Sequence, residues 1–79
     1  MVSAVVLVNT DVGQGYKVLE SIKTLKEVKE AHALWGVYDL LVKIQSNSID
    51  GLRHILKTGL REVAGVSNVL TLMIMESPS

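Results

Sequence analysis

Seventy-nine residues allow one small domain, and a chain of this size buries only about 60–65% of its unfolded surface. With no cysteine, disulfides and thiol chemistry are closed to it, and eight basic residues balanced by eight acidic ones leave no basic field for nucleic acid. The longest apolar runs are far short of the roughly 20 residues of a bilayer span, and Met1-Val2-Ser3 carries no positively charged n-region, so a cytoplasmic protein is expected. Hydrophobic residues make up 48% of the chain, yet Phe is absent. That aliphatic surplus suits sheet faces that pack against a second copy, since so small a core needs help.

Val2 to Val8 is a β-branched run, the pattern of a strand buried on both faces. Asn9 to Gly15 breaks it with turn residues, and a helix is predicted from Tyr16 to about Lys26. Val18, Leu19, Ile22 and Leu25 line one side of that helix, and charged residues line the other. A second strand, Val28 to Trp35, and a third, Tyr38 to Gln45, flank Gly36-Val37. A glycine first in a two-residue loop fits a type II′ hairpin turn. Placing Trp35 opposite Tyr38 sets the register and pairs Glu30 with Lys43. Trp35, Ala33, Ala31, Tyr38, Leu40, Val42 and Ile44 then share a face expected to pack on helices. Val28, Glu30, His32 and Leu34 share the other with Asp39, Leu41, Lys43 and Gln45.

Ser48 or Asn47 can cap a second helix, whose apolar stripe is Ile49, Leu52, Ile55, Leu56, Leu60 and Val63. Gly51 and Gly59 each weaken it by about 1 kcal/mol relative to Ala. Ala64-Gly65 ends it, and Val66 to Met75 is a last strand, with a frayed tail beyond. The order β-α-β-β-α-β predicts an α+β, ferredoxin-like sandwich with both helices on one face of an antiparallel sheet. The bare sheet face calls for a second sheet, hence a dimeric α/β barrel.

Little here suggests catalysis or metal binding: two histidines, no thiol, and no carboxylate pair at a hydrolytic spacing. No catalytic residue, metal ligand or cofactor is expected. His32 reads as a partly buried interface residue and His54 as a helix-surface one. Gly13-Gln14-Gly15 lacks the lysine and hydroxyl of a phosphate loop and reads as a plain strand-to-helix connection. Asp39 stands out as a carboxylate at the mouth of an apolar strand. Two readings stay open: it bonds the turn's own backbone, or it faces the amino group of a ligand whose anionic end meets N–H groups near Gly36.

The run Glu30-Ala31-His32-Ala33-Leu34-Trp35-Gly36-Val37-Tyr38-Asp39-Leu40-Leu41-Val42 resembles the β2–β3 hairpin of the C-terminal domain of Lrp/AsnC transcription regulators, with its Gly-x-Tyr-Asp turn. Val63-Ala64-Gly65-Val66 resembles that family's Val-x-Gly-Val before the last strand, and Leu25-Lys26-Glu27-Val28 stands where Pro-Glu-Val is usual. The likeness runs over nearly the whole chain.

The resemblance implies a stand-alone RAM domain over residues 1–76, with 77–79 as tail, and a prokaryotic origin. It implies dimers that join into rings, often octamers, and a free amino acid or related metabolite bound between dimers. By position, Gly36, Val37, Tyr38 and Asp39 fall on one wall of that ligand site and Thr71 on the wall from a neighbouring dimer. Val69 replaces the first threonine of the family's Thr-x-Thr. The family's helix-turn-helix domain has no counterpart in these 79 residues. The initiator methionine suggests a chain that works without one, and neutral charge fits a protein that does not touch DNA. The expected role is effector binding and oligomerisation in transcription regulation, with full-length Lrp/AsnC regulators as further partners. The alternatives are a pure assembly scaffold and a small dimeric α/β-barrel monooxygenase.

Overall fold

The computed structural model describes residues 2–74. Strands β1 (Val2–Thr10), β2 (Val28–Ala33), β3 (Leu40–Ser46) and β4 (Val66–Ile74) form one sheet in the order β2-β3-β1-β4. All neighbours in it are antiparallel. Helix α1 (Gly15–Lys23) links β1 to β2, and α2 (Ile49–His54) begins the link from β3 to β4. This is the α+β, ferredoxin-like arrangement that the element order predicts.

The core lies between the helices and one face of the sheet. Ala4, Val6 and Val8 of β1 and Leu40, Val42 and Ile44 of β3 are buried with Val18, Leu19 and Ile22 of α1 and Leu52 of α2. Alternate residues point to opposite faces of a strand, so Val5 and Leu7 face the other way, half-buried, beside Leu41, Leu70 and Leu72. The β1 run is therefore buried on one face only, against expectation. Among the described residues no element covers its second face, where Leu70 and Leu72 remain 42% and 50% exposed.

The β2–β3 register is the predicted one from Glu30↔Lys43 to Ala33↔Leu40. It then shifts, because a bulge between Val28 and Glu30 sets Val28 opposite Ile44 rather than Gln45. An extra residue reverses the alternation. Val28 consequently packs on the core, not on the open face.

Ser48 Oγ accepts the Gly51 N–H at 3.0 Å and caps α2. A Cβ at Gly51 would overlap Ser46 Oγ, so the glycine that weakens the helix also lets it start close to β3. Past His54 the helix widens into a π-turn over Ile55–Gly59, with the Leu60 N–H donating to Ile55 C=O at 3.0 Å. An α-helix turns about 100° per residue, which would leave Leu60 roughly 80° away from the line of Leu52. The wider turn closes that angle, and both leucines are fully buried. Ile49, in contrast, sits in the first turn on the solvent side and is half exposed, so it does not belong to the apolar stripe. Met75 and the tail beyond it lie outside the described residues.

Candidate functional site

The β2–β3 connection is wider than a two-residue turn. The Leu34 N–H donates to Asp39 C=O at 2.8 Å and closes a loop over residues 35–38. Gly36 has φ +155°, far from the value near +60° of a type II′ turn. The strands stop at Ala33 and Leu40 because Asp39 is drawn toward β1. Its N–H donates to Val8 C=O at 3.0 Å, and its Oδ2 accepts the Thr10 N–H at 2.8 Å, with the Thr10 hydroxyl 3.4 Å away. Asp39 thus bonds backbone, as one reading held, but at the end of β1 rather than in its own turn. The opened loop turns Trp35 out completely, at 104% exposure, and this corrects its expected place on the helix-packed face.

Below the loop lies a pocket of about 320 Å³ lined by Gly15, Tyr16, Ala33, Leu34, Trp35, Gly36, Asp39 and Leu40. It brings together the start of α1, the end of β2, the loop and the start of β3. Of the five residues expected to bind a ligand, Gly36 and Asp39 line it. Val37 is exposed at the loop tip, and Tyr38 is half-buried outside the lining. Thr71 pairs with Val6 on β4, the sheet edge opposite β2, so one chain does not bring it to this pocket.

Sequence reasoning missed Gly15 and Tyr16 as lining residues and Thr10 as the partner of Asp39. Thr10 is a hydroxyl residue at the end of an apolar strand, and that was its only signal. The Gly13-Gln14-Gly15 stretch closes as a turn, with the Gln14 N–H on Asp11 C=O at 2.9 Å. His32 lies 3.3 Å from Glu30 Oε1, and both side chains are more than half exposed, so within one chain His32 is not a partly buried residue. Glu30 faces Lys43 in register. Among the described residues no group of three or more His, Cys, Asp or Glu could hold a metal ion, and no helix is long and apolar enough to cross a membrane.

The family model of the Lrp/AsnC ligand binding domain matches residues 3–79. The chain belongs to that family. Regulatory protein AsnC of Escherichia coli (strain K12) is 30% identical over 60 residues, which cover 76% of this chain and 40% of AsnC. The match thus spans well under half of that regulator's length. The solved structure of the hypothetical protein PHS023 from Pyrococcus horikoshii is 28% identical with a TM-score of 0.91, covering 99% of this chain and 94% of that one. The L-Met complex of transcriptional regulator NMB0573 from Neisseria meningitidis shares the fold, with a TM-score of 0.84 at 18% identity, and covers 99% of this chain and 52% of that one. The Lrp/AsnC ligand-binding domain is a regulatory module of transcription regulators, and the family is not one of enzymes.

Proposed function

We propose that this Lrp/AsnC domain is an effector-binding and self-assembly module that takes a free amino acid or a related small metabolite in the pocket under the β2–β3 loop. The observation that carries the reading is Asp39. Its carboxylate is half-buried at the pocket, oriented by Thr10, and able to receive a ligand's ammonium on lone pairs that Thr10 does not use. Backbone N–H groups near Gly36 are at hand for a ligand carboxylate. The NMB0573 complex with L-Met supports an amino acid as the ligand class.

Self-assembly is supported by the sheet face that carries Val5, Leu7, Leu41, Leu70 and Leu72. A second copy laid against it forms the dimeric barrel. Dimers joined into a ring would then bring Thr71 of another dimer toward the pocket. Ligand that binds only the joined state stabilises it by RT ln(1 + [L]/Kd). In this reading the domain acts in the cytoplasm without touching DNA, alone or in mixed rings with full-length regulators.

The direct test is isothermal titration of the purified protein with each common amino acid, alongside native mass spectrometry for ring size and bound mass. Binding with a shift toward the larger assembly is expected. No binding to any of them by intact rings would remove the effector claim and leave the scaffold reading, which the open sheet face favours by itself.

A further inference from the structure

A second cleft, of about 410 Å³, lies at the other end of the β2–β3 pair from the pocket under the loop. Lys26, Glu27 and Lys29 line one wall, from the turn that leads into β2, and Gln45, Ser46 and Asn47 line the other, at the end of β3. The Gln45 N–H donates to Glu27 C=O at 3.0 Å, and the Val28 N–H donates to Leu25 C=O at 3.1 Å. The first bond ties the walls together and the second fixes the turn, so the cleft is built by backbone.

The bulge in β2 supplies one of the two lysines. Val28 faces Ile44 and Glu30 faces Lys43, which leaves Lys29 as the extra residue of the ladder. An extra residue re-aims side chains, and Lys29 lines the cleft with Lys26. Both lysines are exposed, and the only ion pair among the described residues is His32–Glu30, so no described carboxylate holds either one. Glu27 is the one acid in the lining, and two lysines against one glutamate leave it net positive. Gln45, Ser46 and Asn47 add neutral donors from the facing wall. A phosphate group has oxygens on every side and can meet donors from both walls, whereas a planar carboxylate presents a single edge.

We infer that this cleft binds the phosphate group of a small phosphorylated metabolite, with Lys26 and Lys29 as its cationic contacts. Its volume leaves room beside the phosphate for the rest of such a molecule. The cleft shares no residue with the pocket under the β2–β3 loop, so this site stands apart from the effector reading.

The test is backbone amide NMR of the intact protein, titrated at constant ionic strength with inorganic phosphate, glycerol 3-phosphate and acetate. Saturable shifts are expected at residues 26–29 and 45–47 with both phosphates, the ester binding the tighter, and acetate weakest. Lys29→Gln removes an exposed side chain and should weaken glycerol 3-phosphate about fivefold, the upper end for an exposed charge pair. Lys57→Gln, at an exposed helix position outside the cleft, should leave it unchanged. Inorganic phosphate binding tighter than the ester overturns the metabolite and leaves a site for the free ion. Acetate binding as tightly as the phosphates overturns the phosphate assignment. Shifts that do not saturate, or equal losses in the two variants, overturn the site.

Discussion

The backbone N–H of Thr10 donates to Asp39 Oδ2 at 2.8 Å, which ties the last residue of β1 to the residue before β3 across 29 positions of chain. The Asp39 N–H returns a bond to Val8 C=O. These two bonds hold the β2–β3 loop open and place its carboxylate at the pocket.

Asp39→Ala should therefore lower stability by about 1–3 kcal/mol, because the Thr10 N–H loses a charged acceptor in a half-buried place. Asp39→Asn keeps an acceptor oxygen and should cost less, while it removes the charge that a ligand's ammonium would meet. Urea denaturation of both variants, paired with ligand titration, checks this. The expected pattern is a stable Asn variant that no longer binds.

Gly65 precedes β4 with φ +95°, and its C=O accepts the Asp11 N–H at 2.7 Å. A Cβ there would stand 2.8 Å from Val18 Cγ2, a fully buried side chain. Gly65→Ala should thus cost about 2–4 kcal/mol from a disfavoured backbone conformation and core overlap together. Gly36→Ala has no such neighbour within 4 Å and should cost less. Thermal melting of the two variants side by side gives the ranking.

Leu72 pairs with Val5 at the centre of the open sheet face and is half exposed in one chain. Leu72→Glu places a charge on that face at little cost to a lone protomer. If a second sheet packs there, the charge becomes an unpaired buried one, and the dimer should dissociate to monomer. Sedimentation equilibrium reads the outcome; an unchanged assembly would show that this face is not the contact.

Ser48→Ala removes the side-chain acceptor of the Gly51 N–H and should cost about 1 kcal/mol. The helix it starts is six residues before the π-turn, too short to hold without packing. A chemical denaturation midpoint shifted by that amount, with an unchanged slope, is the expected result.

Much of the architecture is legible in local pattern. The alternation of β3 foretells the burial of Leu40, Val42 and Ile44. The helical spacing of Val18, Leu19 and Ile22 foretells the buried side of α1. Register over Glu30 to Ala33 is the one that placing Trp35 opposite Tyr38 predicts. What failed was local detail that neighbours decide. Lys29 gives no sign of the bulge that turns Val28 to the core, and Gly36 looks like a tight-turn residue until β1 takes the bonds of Asp39. The π-turn is likewise invisible, since it exists to bring Leu60 into line with Leu52.

The amino-acid sequence by itself determined the element order, the buried sides of β3 and α1, and the motif that sets Asp39 after a glycine. Those depend on periodicity and on interactions between residues near in the chain. Only the tertiary structure decided that Asp39 is held by Thr10, that Tyr16 comes to the same pocket as Trp35, and that Thr71 lies on the far edge of the sheet. Each of these is a meeting of segments far apart in sequence, and such meetings are set by strand order and packing, which no local pattern encodes.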